Sequence, residues 1–418
     1  MALPGPCATA RDVTHAAVLR GTSCAAHRRR LAPRCSWRQM SRAAPRAPPA
    51  QRRSPAPPLR AVALPAQSGT ALSKPSGAAA SVWRGIDASF WAVVDPLAEE
   101  ARCADGDEDD GLGGPCNEAV AQALWLRRLA EEQRELLAGR LRPMPEPLAV
   151  RDQASAREAA RALQADGVVF LRGVVPAPLC DALKAEVDAR AEAARAQLGG
   201  SLRRVDALLA WDGAGRAAAL AAAGPGGVAS VLALLPDATA DAQLVEFSVL
   251  STEPGADRQV LHPDVRADAQ HAPLFSLFVA LQDVAPEMGP TSFVLRTHDA
   301  ASHAAFPAGP VTDSARRLLR GAHALDAPMR KGDAALYDAR LLHAGGRNDP
   351  DAGARRGLLT LTFMRGPVPA APERRNSGGS AFSARPEVLQ QRLTVGRMAQ
   401  LAEQEALCGA YSNARVSI

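Results

Sequence analysis

QVLHPDV, residues 259–265, is the stretch on which the reading of this chain turns. It follows a β-rich run, QLVEFSVLS (243–251), and a Pro-Gly turn at Pro254–Gly255. Side chains two apart on an extended segment share a face, so His262 and Asp264 can point the same way. Taken alone, a His-x-Asp tripeptide is equally well explained as a turn histidine beside an aspartate. Its position at the end of a strand favours a pair of metal ligands.

Working outward, the period of the sequence is strand-like from about residue 242. LFSLFVALQDV (274–284), TSFVLRT (291–297), DAALYDARLLH (333–343) and RGLLTLTFM (356–364) are β-rich runs separated by Gly, Pro and Asp turns. Several short strands between turn signals predict a jelly roll. Upstream, ASAREAARALQADG (154–167) predicts a helix capped by Gly167, VVFLRGVV (168–175) a strand, and Pro176 opens a second long helix. The expected class is α+β: a double-stranded β-helix, jelly-roll and cupin-like, with flanking α-helices.

Two histidines and one carboxylate on one face of a divalent ion leave its other positions open. The second histidine should come from a late strand. His343 fits, lying after the Gly-Asp turn of GDAALYDARLLHAGGRND (332–349) and before a turn-rich loop. The competitors are His271, too close to His262 to come from another strand, and His298, His303 and His323, of which His303 and His323 stand in helical or turn surroundings.

The ordered set PGADRQVLHPD (254–264), VALQDVAPEMGPTSFVLRTH (279–298), KGDAALYDARLLHAGGRND (331–349) and RRGLLTLTFMR (355–365) resembles the phytanoyl-CoA dioxygenase family. DGVVFLRGVVPAPLCDALKAEVDA (166–189) is similar to its opening strand and helix, so the resemblance spans about 165–366. It implies Fe(II) held by His262, Asp264 and His343, with 2-oxoglutarate as cosubstrate and ascorbate as a candidate reductant. It also implies O₂ consumption, release of succinate and CO₂, and hydroxylation of a small organic substrate such as an acyl-CoA or another metabolite. Halogenases related to the family carry a small residue in place of the carboxylate, whereas Asp264 is present here. One departure is LRTH (295–298) where the family has Pro-Gly-Ser-His, in a loop near its substrate entrance. Two other readings stay open: a cupin-like metal protein that does not use 2-oxoglutarate, and a non-catalytic binding protein on the same fold.

The resemblance further implies an arginine at the start of the last strand, pairing with the far carboxylate of 2-oxoglutarate. A guanidinium fork suits a carboxylate and stays charged when partly buried. Arg355 and Arg356 are both candidates, and neighbours on a strand face opposite ways. Arg356 alternates with Leu358, Thr360 and Thr362, Arg355 with Gly357, Leu359, Leu361 and Phe363. The second set reads as the packing face, which favours Arg356. Phe278 and Gly345 match positions lining the cosubstrate pocket.

Composition bounds the rest. Only three of the chain's 49 basic residues are lysines (Lys74, Lys184, Lys331), and fourteen of the 49 lie in residues 1–86 with a single acid, Asp12. The remainder is net acidic, which argues against a nucleic-acid partner. Residues 1–80, Arg-rich and nearly acid-free, have the composition of a disordered transit peptide and linker. An organelle is expected, the plastid ahead of the mitochondrion, the alternative being a basic tail on a cytoplasmic protein. Residues 81–149 read as an acidic loop and a helical extension, 150–367 as the dioxygenase domain, and 368–418 as a loop and a helix. The run DGDEDDG (105–111), between Cys103 and Cys116, lacks the glycine and distal glutamate of a calcium loop and reads as solvated charge. The seven cysteines form no CxxC pair, so neither zinc nor a disulfide framework is expected. No membrane span is expected, and the sequence does not fix an oligomeric state.

Overall fold

The computed structural model describes residues 82–87, 90–94, 115–198, 202–236, 240–267, 274–307, 309–366 and 384–416. The leader, the acidic run and the loop at 369–380 lie outside the described residues, as does His271. The strands are β1 Val82–Asp87, β2 Phe90–Val94, β3 Leu141–Arg142, β4 Val168–Leu171, β5 Leu202–Leu208, β6 Gln243–Thr252, β7 Leu274–Ala280, β8 Thr291–Val294, β9 Ala324–Asp326, β10 Ala334–Asp338, β11 His343–Gly345 and β12 Arg356–Met364. The helices are α1 Pro115–Ala138, α2 Gln153–Asp166, α3 Ala177–Leu198, α4 Gly213–Ala223, α5 Val228–Leu232, α6 Ala300–Ala305, α7 Asp313–Gly321, α8 Pro386–Gln390 and α9 Val395–Val416. Among the described residues, no helix is long and apolar enough to cross a membrane.

The fold is α+β, with a jelly roll of two facing sheets at its centre. The larger sheet has the order β1-β2-β5-β6-β12-β7-β10-β4, and the smaller β11-β8-β9-β3. The chain alternates between them: β7 lies in the larger, β8 and β9 in the smaller, then β10, β11 and β12 in larger, smaller and larger. The facing surfaces meet through aromatic rings. Phe293 of the smaller sheet packs 6.2 Å from Phe170 and 5.3 Å from Tyr337 of the larger. Met288, Leu325 and Leu358 complete this inner cluster.

The outer face of the larger sheet carries the main apolar core. Leu359, Leu361 and Phe363 of β12 and Phe247 and Val249 of β6 pack there with Leu163 of α2, Leu183 of α3 and Leu220 of α4. Alternation therefore sorts β12 cleanly, with one set against the helices and Arg356, Leu358, Thr360 and Thr362 inside.

Local chemistry fixes the junctions. Asp152 caps α2 by accepting from Ser155 N at 2.8 Å, an interaction generally worth about 1 kcal/mol. At the other end Gly167 takes φ +82°, where a Cβ would lie 2.6 Å from Leu341 Cδ1. The run 333–343, expected as one strand, is two. Asp338 accepts from Arg340 N at 2.9 Å and its carbonyl from Leu341 N at 2.8 Å. That Asx turn breaks the strand and carries the chain into the other sheet, where His343 starts β11. The C-terminal run expected as one helix is likewise split, into α8 and α9.

Candidate metal centre

His262 and His343 meet across an antiparallel bridge. Each backbone N–H donates to the other's carbonyl at 3.0 Å, so the two side chains leave the same face. Their rings lie 4.7 Å apart. The His262 Nδ1–H donates to the Val260 carbonyl at 2.8 Å, and the His343 Nδ1–H to the Leu341 carbonyl at 3.0 Å. A carbonyl can only accept, so each ring carries a proton on Nδ1, and Nε2 is the atom left for a metal. Burial first, then the neighbouring His343, pushes His262 down to about 4. Its ring is therefore neutral, as a metal ligand must be.

Asp264 joins this pair because its backbone N–H donates to the Ala339 carbonyl at 2.8 Å, pinning the loop to the β10–β11 turn. Its Oδ2 lies 3.7 Å from His343 Nε2. One ligand atom from each of His262, Asp264 and His343 lies within 4.8 Å of the other two. The carboxylate is itself oriented: the buried Tyr337 hydroxyl donates to Asp264 Oδ2 at 2.8 Å. Desolvation, with the Asp264 and Glu246 carboxylates, raises Tyr337 well above its ordinary value, so it stays a phenol and a donor. A polar ladder continues across the sheet from this point. Thr362 Oγ1 donates to Glu246 Oε2 at 2.6 Å, which leaves Ser276 as donor to Thr362 at 2.8 Å.

The two arginines separate completely. Arg355 turns outward into carboxylates, bonding Glu253 at 2.6 Å, Glu192, and Asp188 at 3.5 Å. Arg356 is 1% exposed and faces inward. Its Nη2 donates to Thr252 Oγ1 at 3.3 Å, while Nε and Nη1 have no partner among the described residues. Burial pushes its guanidinium down to about 9, with Arg204 a second cause. Gly345 sits against it: a Cβ there would lie 3.4 Å from Arg356 Nη2 and 2.6 Å from Gln259 Oε1. Phe278 lines the same interior, 5.0 Å from the Tyr337 ring and 6.4 Å from that of His343.

The other described histidines are engaged elsewhere. His303 on α6 accepts from Ala267 N at 3.0 Å and donates to the Arg340 carbonyl at 2.7 Å, tying the loop after Asp264 to the β10–β11 turn. His298 lies beside the Gln164 carbonyl and His323 beside Arg142. Sequence reasoning passed over Tyr337 and Thr252 and gave Asn348 no role. Asn348 is fully buried and bonds the Thr252 and Ala354 carbonyls at 3.1 and 2.8 Å, closing the loop that delivers Arg356. Its place in GGRND was the available signal, since Asn in a turn often clamps backbone.

Two imidazoles and a carboxylate, converging inside a jelly roll, are a donor set that non-haem metal-dependent oxygenases use. A buried cation with unpaired N–H groups nearby fits an anionic partner. Residues 163–357 match the sequence model of Phytanoyl-CoA dioxygenase (PhyH), and the chain carries a domain of that family. No curated protein matches the chain. Among solved structures it is similar to the non-heme alpha ketoglutarate dependent epimerase SnoN from nogalamycin biosynthesis, at 22% identity over 51% of this chain and 84% of that one, with a TM-score of 0.39. It is also similar to AviO1 from Streptomyces viridochromogenes Tue57, at 21% identity over 54% and 100% of the two chains, with a TM-score of 0.38. For EctD from S. alaskensis the values are 20% identity, 61% and 93% coverage, and a TM-score of 0.40.

Proposed function

We propose that the domain is a non-haem Fe(II)- and 2-oxoglutarate-dependent oxygenase that hydroxylates a small organic substrate, an acyl-CoA or another metabolite. The observation that carries this reading is Arg356, a buried guanidinium with two nitrogens lacking a partner among the described residues. Such a charge is costly unless an anion completes it. The distal carboxylate of 2-oxoglutarate is an anion of the right shape, and the family match supports that choice.

His262, Asp264 and His343 hold the metal. Tyr337 fixes the carboxylate, and Arg356 anchors the far end of the cosubstrate beside Gly345. Phe278, Phe293 and Leu358 exclude water from the interior. Iron with 2-oxoglutarate bound supplies O₂ activation coupled to decarboxylation of the cosubstrate, giving succinate and CO₂, with ascorbate as reductant for the iron. Hydroxylation is favoured because Asp264 supplies the third protein ligand. Residues 1–80 are proposed as an organelle-targeting leader.

The test is succinate release from 2-oxoglutarate, with Fe(II) and O₂, screened against metabolite pools. His343→Ala serves as the control and is expected to abolish release. A wild-type protein that binds metal yet never yields succinate would favour a metal protein that does not use 2-oxoglutarate.

A further inference from the structure

Helix α1 has no part in the chemistry proposed above, and it lies outside residues 163–357, the span that matches the family. Yet it packs on the two segments that hold the histidines. Successive side chains on an extended segment leave opposite faces. His262 and His343 point into the barrel, so their neighbours Leu261, Leu342 and Ala344 point out of it. Those three form one buried cluster with Leu137 of α1. The helix therefore roofs the outside of the His262–His343 bridge. Two ion pairs seat it there, Arg127 with Asp257 at 2.7 Å and Arg134 with Asp326 of β9 at 2.9 Å.

The bridge has an open edge that needs this roof. β11 pairs with β8 on one side. On the other it meets the 259–262 segment, through Gln259 N to the Gly345 carbonyl at 2.9 Å and the reciprocal His262–His343 bonds. From 259 to 262 the segment advances three residues while β11 runs back only from 345 to 343, so the pairing is bulged and irregular. Among the described residues, no strand pairs with the segment's far side. The N–H of the residue next to a bridged one points away from the partner strand. That N–H belongs to Leu261, and it donates to the side-chain Oε1 of Gln133 on α1 at 2.8 Å. Gln133 is itself buried. A buried backbone N–H without an acceptor is costly. Loss of the Gln133 amide would draw the segment toward another acceptor, and His262, the next residue, would move with it.

We propose that Gln133 is a positioning residue for His262, so that α1 completes the metal centre from outside the barrel and the functional unit begins at α1, ahead of the matched span. The clamp rests on the Leu261–Gln133 bond and the packing of Leu137. Its consequence for a metal rests on the reading of His262, Asp264 and His343 as ligands.

The test titrates the full chain with Mn(II) for affinity and with Co(II) for its ligand-field spectrum, in the wild type, Gln133→Leu, Gln133→Glu and Arg134→Met. Leu keeps much of the bulk of Gln and removes the acceptor, whereas Glu keeps an acceptor at the same reach. Arg134→Met loosens α1 at a contact on β9 that does not touch the bridge. Gln133→Leu is expected to weaken Mn(II) about tenfold, the low end for a partner that acts through a ligand, and to alter the Co(II) spectrum. Gln133→Glu and Arg134→Met should keep the wild-type affinity and spectrum, whatever their melting temperatures. Wild-type affinity and spectrum in Gln133→Leu, or an equal loss in Arg134→Met, would make Gln133 a brace of the fold alone and overturn the proposal while the metal reading stands. If Gln133→Leu does not fold, Gln133→Asn, whose amide stops one methylene short, carries the same comparison. A folded wild type that binds neither ion would sink the metal reading and this proposal with it.

Discussion

Replacing Tyr337 with Phe isolates one hydrogen bond. The Tyr337 ring packs 5.0 Å from both His343 and Phe278 and 5.3 Å from Phe293. Phe keeps all of that and removes only the hydroxyl that donates to Asp264 Oδ2 at 2.8 Å. The bond is buried and its acceptor is charged, so its loss costs roughly 1.5–3 kcal/mol. That cost falls on the orientation of Asp264, a proposed metal ligand. Outer-shell partners of this kind typically change metal affinity about 10–100-fold, which agrees with the free-energy range at about 1.4 kcal/mol per tenfold. Anaerobic titration with Fe(II), or with Mn(II) as a redox-quiet substitute, is expected to show that loss in Tyr337→Phe with the fold intact by circular dichroism. An unchanged metal affinity would sink the argument that Tyr337 orients Asp264. An equal loss from a packing variant such as Phe293→Leu would assign the effect to the ring stack instead.

Arg356→Ala should raise the 2-oxoglutarate KM by two orders of magnitude or more, since losing a partly buried charge-assisted contact costs about 2–5 kcal/mol. Arg355→Ala should leave KM unchanged, and the reverse pattern in steady-state kinetics would exchange the two roles. The unfolded chain takes up a proton at His262 near the ordinary 6.5 and the folded chain only near about 4, so the metal-free fold should lose stability as pH falls through that window. The loss from this group amounts to about 3 kcal/mol at full shift, and a melting temperature flat from pH 7 to 4 would contradict it. Thr360 is buried and its hydroxyl has no partner among the described residues, so Thr360→Val should raise the melting temperature by a few degrees, from about 1 kcal/mol recovered. A fusion of residues 1–80 to a fluorescent reporter should enter a plastid or mitochondrion, and a diffuse cytosolic signal would refute the leader.

The site was legible where its chemistry is local. His262 and Asp264 are two residues apart, and a strand end aligns such pairs without help from the rest of the fold. His343 could be picked from its competitors by its place after a β-rich run. The alternation of β12 separated Arg356 from Arg355, because Leu359, Leu361 and Phe363 are unmistakably a packing set. What stayed hidden is non-local. The Tyr337 bond to Asp264 joins residues 73 apart in sequence. β5 reads as polar because Arg204 and Asp206 face the pocket side of the barrel, so its burial does not follow a hydrophobic pattern. The strands β1 and β2, in a stretch read only as an extension, join the larger sheet through β5, a pairing no local period announces. The break at Asp338 depends on an Asx turn inside a run whose composition is otherwise all strand.

The two faces of the larger sheet divide stability from chemistry. Its outer face is closed by helices over Leu, Val, Phe and Ala, the kind of burial that supplies most folding free energy. Its inner face mixes apolar residues such as Phe278 and Leu358 with groups that a purely structural core would not contain. Arg204, Thr252 and Arg356 form one row, and Glu246, Thr362, Ser276 and Tyr337 form another. Between them Ser248 and Thr360, paired in register, keep hydroxyls without partners among the described residues. Each such group costs about 1–3 kcal/mol when left unsatisfied. The sheet can carry that cost because β12, with its inner and outer residues alternating, is held on both sides by long antiparallel partners. The same rigidity holds Arg356 and the His262, Asp264 and His343 group at fixed separation, as the proposed cosubstrate spanning the two would require.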